Sequence, residues 1–194
     1  MHRVLLIGDS IRLHYQPVVR EELQSEAEVT GPAENCETSR KVRARFAVWL
    51  EPYKPDVIHL NCGLHDIRVD RGSCEVQVPL AEYIENVDAI IRLAQRRAPV
   101  VIWATTTPVD EALHRANKVS SRSEAEVHRY NQAAVEVASN AGAKINDLHQ
   151  VVETDGTKLL WQPDGVHFNE RGYTLLGNAV AQEIRRYLPR AAAS

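Results

Sequence analysis

Arg3-Val4-Leu5-Leu6-Ile7-Gly8-Asp9-Ser10-Ile11-Arg12 is the stretch around which the remaining elements arrange themselves. Four consecutive apolar residues, Val4 to Ile7, run straight into Gly-Asp-Ser, and amphipathic sequence follows. A short unbroken apolar run closed by a glycine predicts a strand covered on both faces, as in a parallel sheet, where no polar alternation is needed. Ser10 then stands at the carboxyl end of that strand. Open α/β sheets bind ligands there, beside the unpaired N–H groups that start the next helix. Two readings of Ser10 are open at this point. It is a residue type that caps helices well, and it is also a hydroxyl placed where a nucleophile would stand.

Working outward, Leu13 to Gln24 has Leu13, Val18, Val19 and Leu23 at helical spacing, with Pro17 near the first turn. Glu28-Val29-Thr30 predicts a second strand, and Gly31 to Ser39 a loop in which Thr38 or Ser39 caps a helix reaching about Leu50. Val57 to Asn61 predicts a third strand. A long helix starts near Pro79 and runs through Leu93, and Val100 to Ala104 makes a fourth strand. Residues Val109 to Ser121 show no period and are expected to be the longest loop, a candidate lid. A helix from about Ser123 to Ala141, a fifth strand over Lys144 to Leu148 and a closing helix over Tyr173 to Leu188 complete the chain. Strands alternating with helices call for a parallel sheet with helices on both faces. No Pro-, Gly- or Ser-rich linker divides the sequence, so residues 1–194 are expected to form one domain.

Near the other end stands Pro163-Asp164-Gly165-Val166-His167-Phe168. Asp164 and His167 are three apart across a glycine, so one tight loop can bring the carboxylate to the imidazole. The chain order Ser, Asp, His suits a triad built on an α/β sheet. Gly8-Asp9-Ser10-Ile11 together with Asp164-Gly165-Val166-His167-Phe168 resembles the first and last blocks of the SGNH (GDSL-type) hydrolase family. The G-x-S-x-G elbow of the α/β-hydrolases is absent.

The resemblance implies a three-layer α/β/α, flavodoxin-like sandwich around a five-stranded parallel sheet in the order 2-1-3-4-5. It implies a serine esterase in which Ser10 is the nucleophile, His167 the base and Asp164 its orienter. It also implies that Cys36 and His65 occupy the family's oxyanion positions: Gly63-Leu64-His65-Asp66 falls where G-x-N-D is usual, and Cys36-Glu37-Thr38-Ser39 where G-D-T-S occurs in some relatives. Ser10 and Cys36 are expected to contribute backbone N–H groups and His65 a ring donor, with Asn35 or Asn61 as alternates. Asp9 and Gly63 are expected beside the substrate. Trp103 and Trp161 are candidates to wall a sugar or acyl pocket, although core aromatics would look the same. A short-chain acyl ester, acetyl for preference and attached to a carbohydrate, is the expected substrate. The rivals are a carboxylesterase, thioesterase or lysophospholipase with a larger apolar channel, or a glycan- or partner-binding member without turnover.

Composition narrows the field further. With 23 basic against 26 acidic residues and a net charge of −3, the chain has no nucleic-acid footprint. No apolar run has the length of a membrane span or a signal peptide, so a cytoplasmic protein is expected. Cys36, Cys62 and Cys74 lack C-x-x-C spacing, which argues against a disulfide framework or zinc site. His2, His14, His114, His128 and His149 show no metal spacing among themselves, and the resemblance implies neither metal nor cofactor. His59, inside a predicted strand, is expected to be a core histidine.

Overall fold

The computed structural model describes residues 1–156 and 160–188. Its centre is β1 (His2–Ile7), whose last four residues are buried on both faces, as the uninterrupted apolar run requires. β1 pairs in parallel with β2 (Ala27–Thr30) on one side and β3 (Val57–Leu60) on the other, and the sheet continues through β4 (Val100–Ala104) to β5 (Lys144–Asn146). The strand order is β2-β1-β3-β4-β5. Val4 is in register with Val57, and Leu60 with Trp103, so the carboxyl ends of the central strands fall along one rim.

Helices form a layer on each side. α1 (Ser10–Glu22) packs on α7 (Glu170–Tyr187), which also packs on α6 (Leu148–Asp155). α3 (Leu80–Gln95) lies between α2 (Ser39–Leu50) and α5 (Glu124–Asn140). This is the flavodoxin-like sandwich implied by the end motifs. Among the described residues no helix is long and apolar enough to cross a membrane.

Large side chains fill the space between layers, and two of the tyrosines give their hydroxyls to backbone carbonyls. Tyr83 Oη donates to Cys62 O at 2.8 Å and Tyr130 Oη to Val78 O at 2.7 Å, so both phenols are buried without stranding a hydroxyl. His59 is the core histidine expected. Burial holds its ring down to about 3, and its Nε2 lies 3.1 Å from Asn146 Nδ2.

Four element boundaries differ from the sequence expectation, each for a local reason. α1 starts at Ser10, because Asp9 is the N-cap and its Oδ1 accepts from Ile11 N at 2.9 Å. α7 starts at Glu170, capped by Asn169, whose side chain accepts from Gly172 N at 3.1 Å. The expected end of the fifth strand is instead the start of α6, where Asp147 accepts from Gln150 N at 3.1 Å. The expected loop over 109–121 contains α4 (Glu111–Asn117), capped by Asp110. Nor is that segment a free lid. Asp110 N donates to Gly165 O at 2.8 Å, and Asn117 Nδ2 to Pro163 O at 2.8 Å.

A side chain that periodicity did not single out ties the rim together. Arg12 is 1% exposed, and its guanidinium donates to Gly8 O at 3.2 Å, Pro32 O at 2.8 Å and Glu34 O at 2.9 Å. These bonds anchor the loop after β2 to the turn that carries Ser10. Arg12→Met keeps the volume but strands the Pro32 and Glu34 carbonyls, each of which costs about 1–3 kcal/mol when left unpaired. The expected loss is about 2–3 kcal/mol of unfolding free energy by urea denaturation. An unchanged midpoint would show that the clip does not hold the loop.

Candidate active site

Because Asp9 takes the cap of α1, the Ser10 hydroxyl is not drawn into capping. Its Oγ lies 2.8 Å from His167 Nε2 instead. His167 Nδ1 lies 2.6 Å from Asp164 Oδ2. With Nδ1–H donating to the carboxylate, Nε2 is left to accept the serine proton, and the hydrogen bonds run in one direction from hydroxyl to carboxylate.

The loop that presents Asp164 and His167 is fixed from several sides. Gln162 N donates to His167 O at 2.8 Å and Asn169 N to Leu160 O at 2.7 Å, closing the chain on itself around the pair. Asp164 Oδ1 accepts from Val166 N at 3.1 Å and from His167 N at 2.9 Å. Gly165 has φ +67°, and a Cβ there would stand 2.4 Å from Asp110 O, so this turn admits no side chain. His114, on α4, sets its Nδ1 2.9 Å from Asp164 O. Behind these three residues, His14 contacts Ser10 O through Nδ1 at 2.6 Å, and its ring stacks on Tyr173 at 4.8 Å.

Ser10, His167 and Asp164 open into a cleft of about 380 Å³, walled also by Asn35, His65, His114 and Arg122. The expected oxyanion donors fare differently. The Ser10 N–H, at the first turn of α1, has no intrahelical acceptor. His65 lines the cleft, its ring has no hydrogen-bond partner among the described residues, and burial holds it below the usual histidine range. A neutral imidazole with a free N–H therefore faces the cleft. Asn35 also lines it, with Oδ1 taken by Glu37 N at 2.9 Å, which leaves Nδ2 to donate.

Cys36 corrects the expectation. Its N–H donates to Gly8 O at 3.2 Å, and the residue is fully buried, so that donor is already committed. Asn61 is likewise committed, with Nδ2 donating to Ala104 O at 2.8 Å.

The expected substrate-contacting residues are corrected too. Asp9 is 2% exposed and serves as the helix cap. Gly63 has φ +148°, and a Cβ there would lie 2.4 Å from Thr106 Oγ1, so its lack of a side chain serves close packing. Trp103 is fully buried in β4, and Trp161 stacks on Phe168 at 4.7 Å; neither lines the cleft. Asp66 is buried too, accepting from Ser39 N at 2.9 Å, and burial pushes its carboxyl up to about 6. It positions the start of α2.

Sequence reasoning passed over Arg122. Its Nε donates to Leu64 O at 2.8 Å, and Nη1 lies 3.3 Å from His114 Nε2, so it ties α4 to the segment bearing His65. A second group of ligating side chains lies outside the cleft. Glu124 and His128 on α5 meet His149 and Glu153 on α6, with one ligating atom from each inside a 4.8 Å span. His149 Nε2 stands 2.6 Å from Glu124 Oε1 and Nδ1 3.5 Å from Glu153 Oε2. The two carboxylates outweigh burial and raise the ring above the usual histidine range. Cys36 and Cys62 are free and buried, and burial pushes both thiols up, away from the reactive thiolate.

The sequence profile of the GDSL-like lipase/acylhydrolase family matches residues 7–175, from the end of β1 into α7. The chain belongs to that family of ester hydrolases. No curated protein matches it. Among solved structures, this GDSL-like hydrolase is similar to the lipase/acylhydrolase from Enterococcus faecalis, with a TM-score of 0.82, 23% identity and 100% of each chain covered. It is also similar to the acetyl xylan esterase AlAXEase, with a TM-score of 0.77, 17% identity and coverage of 94% of this chain and 99% of that one. For Axe2, an acetylxylan esterase from Geobacillus stearothermophilus, the values are 0.78, 18%, 98% and 97%. These likenesses concern the sandwich fold.

Acid should act on this GDSL-like hydrolase through Asp164. Burial alone would raise its carboxyl, but the backbone and ring N–H groups of His167 and the Val166 N–H hold it down to about 2, from an ordinary 3.8. A depressed folded-state value contributes stability that is complete above 3.8 and lost as pH falls through about 2. Urea unfolding across that window should show the wild type losing more stability than Asp164→Asn, and parallel curves would show that the pair adds none.

Proposed function

We propose that this chain is a serine esterase that cleaves short-chain acyl esters, acetyl esters first, through an acyl-enzyme. The observation that carries this reading is the continuous hydrogen-bond chain from Ser10 through His167 to Asp164, opening into a solvent-accessible cleft. Ser10 Oγ attacks the ester carbonyl while His167 Nε2 takes its proton. His167 returns that proton to the leaving alcohol, and a water deprotonated by the same nitrogen releases the acid and frees Ser10. Asp164 holds the ring in the tautomer this requires and stabilises the imidazolium.

The developing oxyanion is met by the Ser10 N–H, the His65 ring N–H and the Asn35 amide, the expected oxyanion donors that remain uncommitted. The cleft, in which Leu64, Val119 and Val166 stand among polar and charged side chains, suits a small acyl group on a polar alcohol. An acetylated carbohydrate remains the first choice of alcohol; two structural neighbours are acetylxylan esterases. Tryptophan walls lend it no support, because Trp103 and Trp161 lie elsewhere.

Hydrolysis of 4-nitrophenyl acetate and of acetylated xylo-oligosaccharides tests this. Ser10→Ala should abolish turnover while leaving the melting temperature near that of the wild type. His65→Ala and Asn35→Ala should each lower kcat by about 10²-fold, as the loss of one oxyanion donor does. Turnover of all these esters at the Ser10→Ala level in the wild type would refute the esterase reading.

A further inference from the structure

Hydrolysis of a neutral ester needs no cation besides the triad's own imidazole, yet this cleft concentrates positive charge. Arg68, Lys118 and Arg122 line it, and Asp164 is the one carboxylate among the lining residues. The whole chain has a net charge of −3, so the concentration is local.

Asp164 is engaged by His167, with Lys118 Nζ 3.7 Å from its Oδ2. Arg68 reaches Asp70 at 2.6 Å through Nη2, while its buried Nε has no partner among the described residues. Arg122 is the most telling of the three. Its Nε and Nη1 contacts are a carbonyl and a neutral-acceptor imidazole nitrogen, and it has no carboxylate partner among the described residues.

We propose that the ester hydrolysed at this site carries an anionic group, a carboxylate or a phosphate, seated on the Arg122 guanidinium with Arg68 and Lys118 beside it. This rests on the esterase reading above and adds the substrate class.

Arg122 is half-buried, and a guanidinium held partly out of water with no carboxylate in contact gains from a partner that arrives from outside. Burial first, and then repulsion from Arg68, pull Arg122 down to about 10. A ligand anion would offset both by its charge. The planar fork still has Nη2 uncommitted among the described residues, which suits the paired oxygens of a carboxylate or phosphate. Arg122 also touches His114, whose other nitrogen meets Asp164 O, so an anion held there lies one side chain from the triad loop.

A purely structural role, holding Leu64 O, would affect neutral and anionic esters alike. The discriminating quantity is therefore a ratio. Matched pairs place the charge on either side of the scissile bond: 4-acetoxybenzoate against 4-acetoxybenzamide, with 4-acetoxyphenyl phosphate as the phosphate arm, and 4-nitrophenyl hydrogen adipate against 4-nitrophenyl hexanoate. At least one anionic ester should exceed its neutral counterpart in kcat/KM by about tenfold, chiefly through KM, as charge-assisted hydrogen bonds provide. Arg122→Gln should bring that ratio close to one, Arg122→Lys should restore part of it, and Lys118→Gln should lower it. Added NaCl should reduce the ratio in the wild type, which tests the charge even where a variant fails to fold.

Equal or slower hydrolysis of every anionic ester overturns the anionic reading while leaving the esterase intact, as does a ratio indifferent to salt and to Arg122→Gln. If the wild type hydrolyses none of the esters above the Ser10→Ala background, the esterase reading fails by itself. Calorimetric titration with benzoate and inorganic phosphate then decides the anion site: binding that Arg122→Gln abolishes supports it, and no binding overturns it.

Discussion

The arrangement at the rim depends on one buried guanidinium. Arg12 is drawn into the interior of the β1–α1 turn and bonds to carbonyls on three sides, Gly8, Pro32 and Glu34. Backbone oxygens at a sheet rim cannot all find partners in a ladder or helix, and those that are buried need donors. Arg12 supplies several from one planar group. In doing so it binds the turn carrying Ser10 to the loop carrying Asn35, so the proposed nucleophile and oxyanion donor share one support. The Cys36 N–H completes that support by bonding to Gly8 O, which is why it faces inward.

The opposite wall follows a similar logic. Asp164 holds His167 with one oxygen and the loop's own N–H groups with the other, and α4 closes over the loop through Asp110, His114 and Asn117. Arg122 then joins that wall to Leu64. Most of these contacts are side chain to backbone, so Asp164 and His167 are placed largely by groups outside the proposed chemistry.

The sheet and the meeting of Ser10, Asp164 and His167 were legible in the sequence for physical reasons. Val4 to Ile7 can only be a doubly buried strand, and the Gly-Asp-Ser and Asp-Gly-Val-His blocks lie at element ends. The less legible parts depend on tertiary partners. Cys36 and His65 were aligned by position alone, and only the fold shows that one donor is committed and the other free. Trp103 is next to the rim in sequence, but side chains in a strand alternate between faces, and its ring enters the core. α4 and α6 are short and capped by Asp110 and Asp147, signals that a search for apolar periodicity passes over. The Glu124, His128, His149 and Glu153 cluster is two i,i+4 pairs on separate helices, and no spacing within either helix reveals that they meet.

The bond between Ser10 and His167 spans 157 positions of sequence. Contacts of such separation carry a large loop-closure entropy and form only after intervening structure has shortened the effective loop. Here the intervening structure is the whole sheet together with the docking of α7 on α1. Ser10 and His167 therefore meet only where both ends of this stretch are docked, and neither end alone holds both. The Ser10–His167 contact is a property of the completed fold, and it is lost when either end comes away.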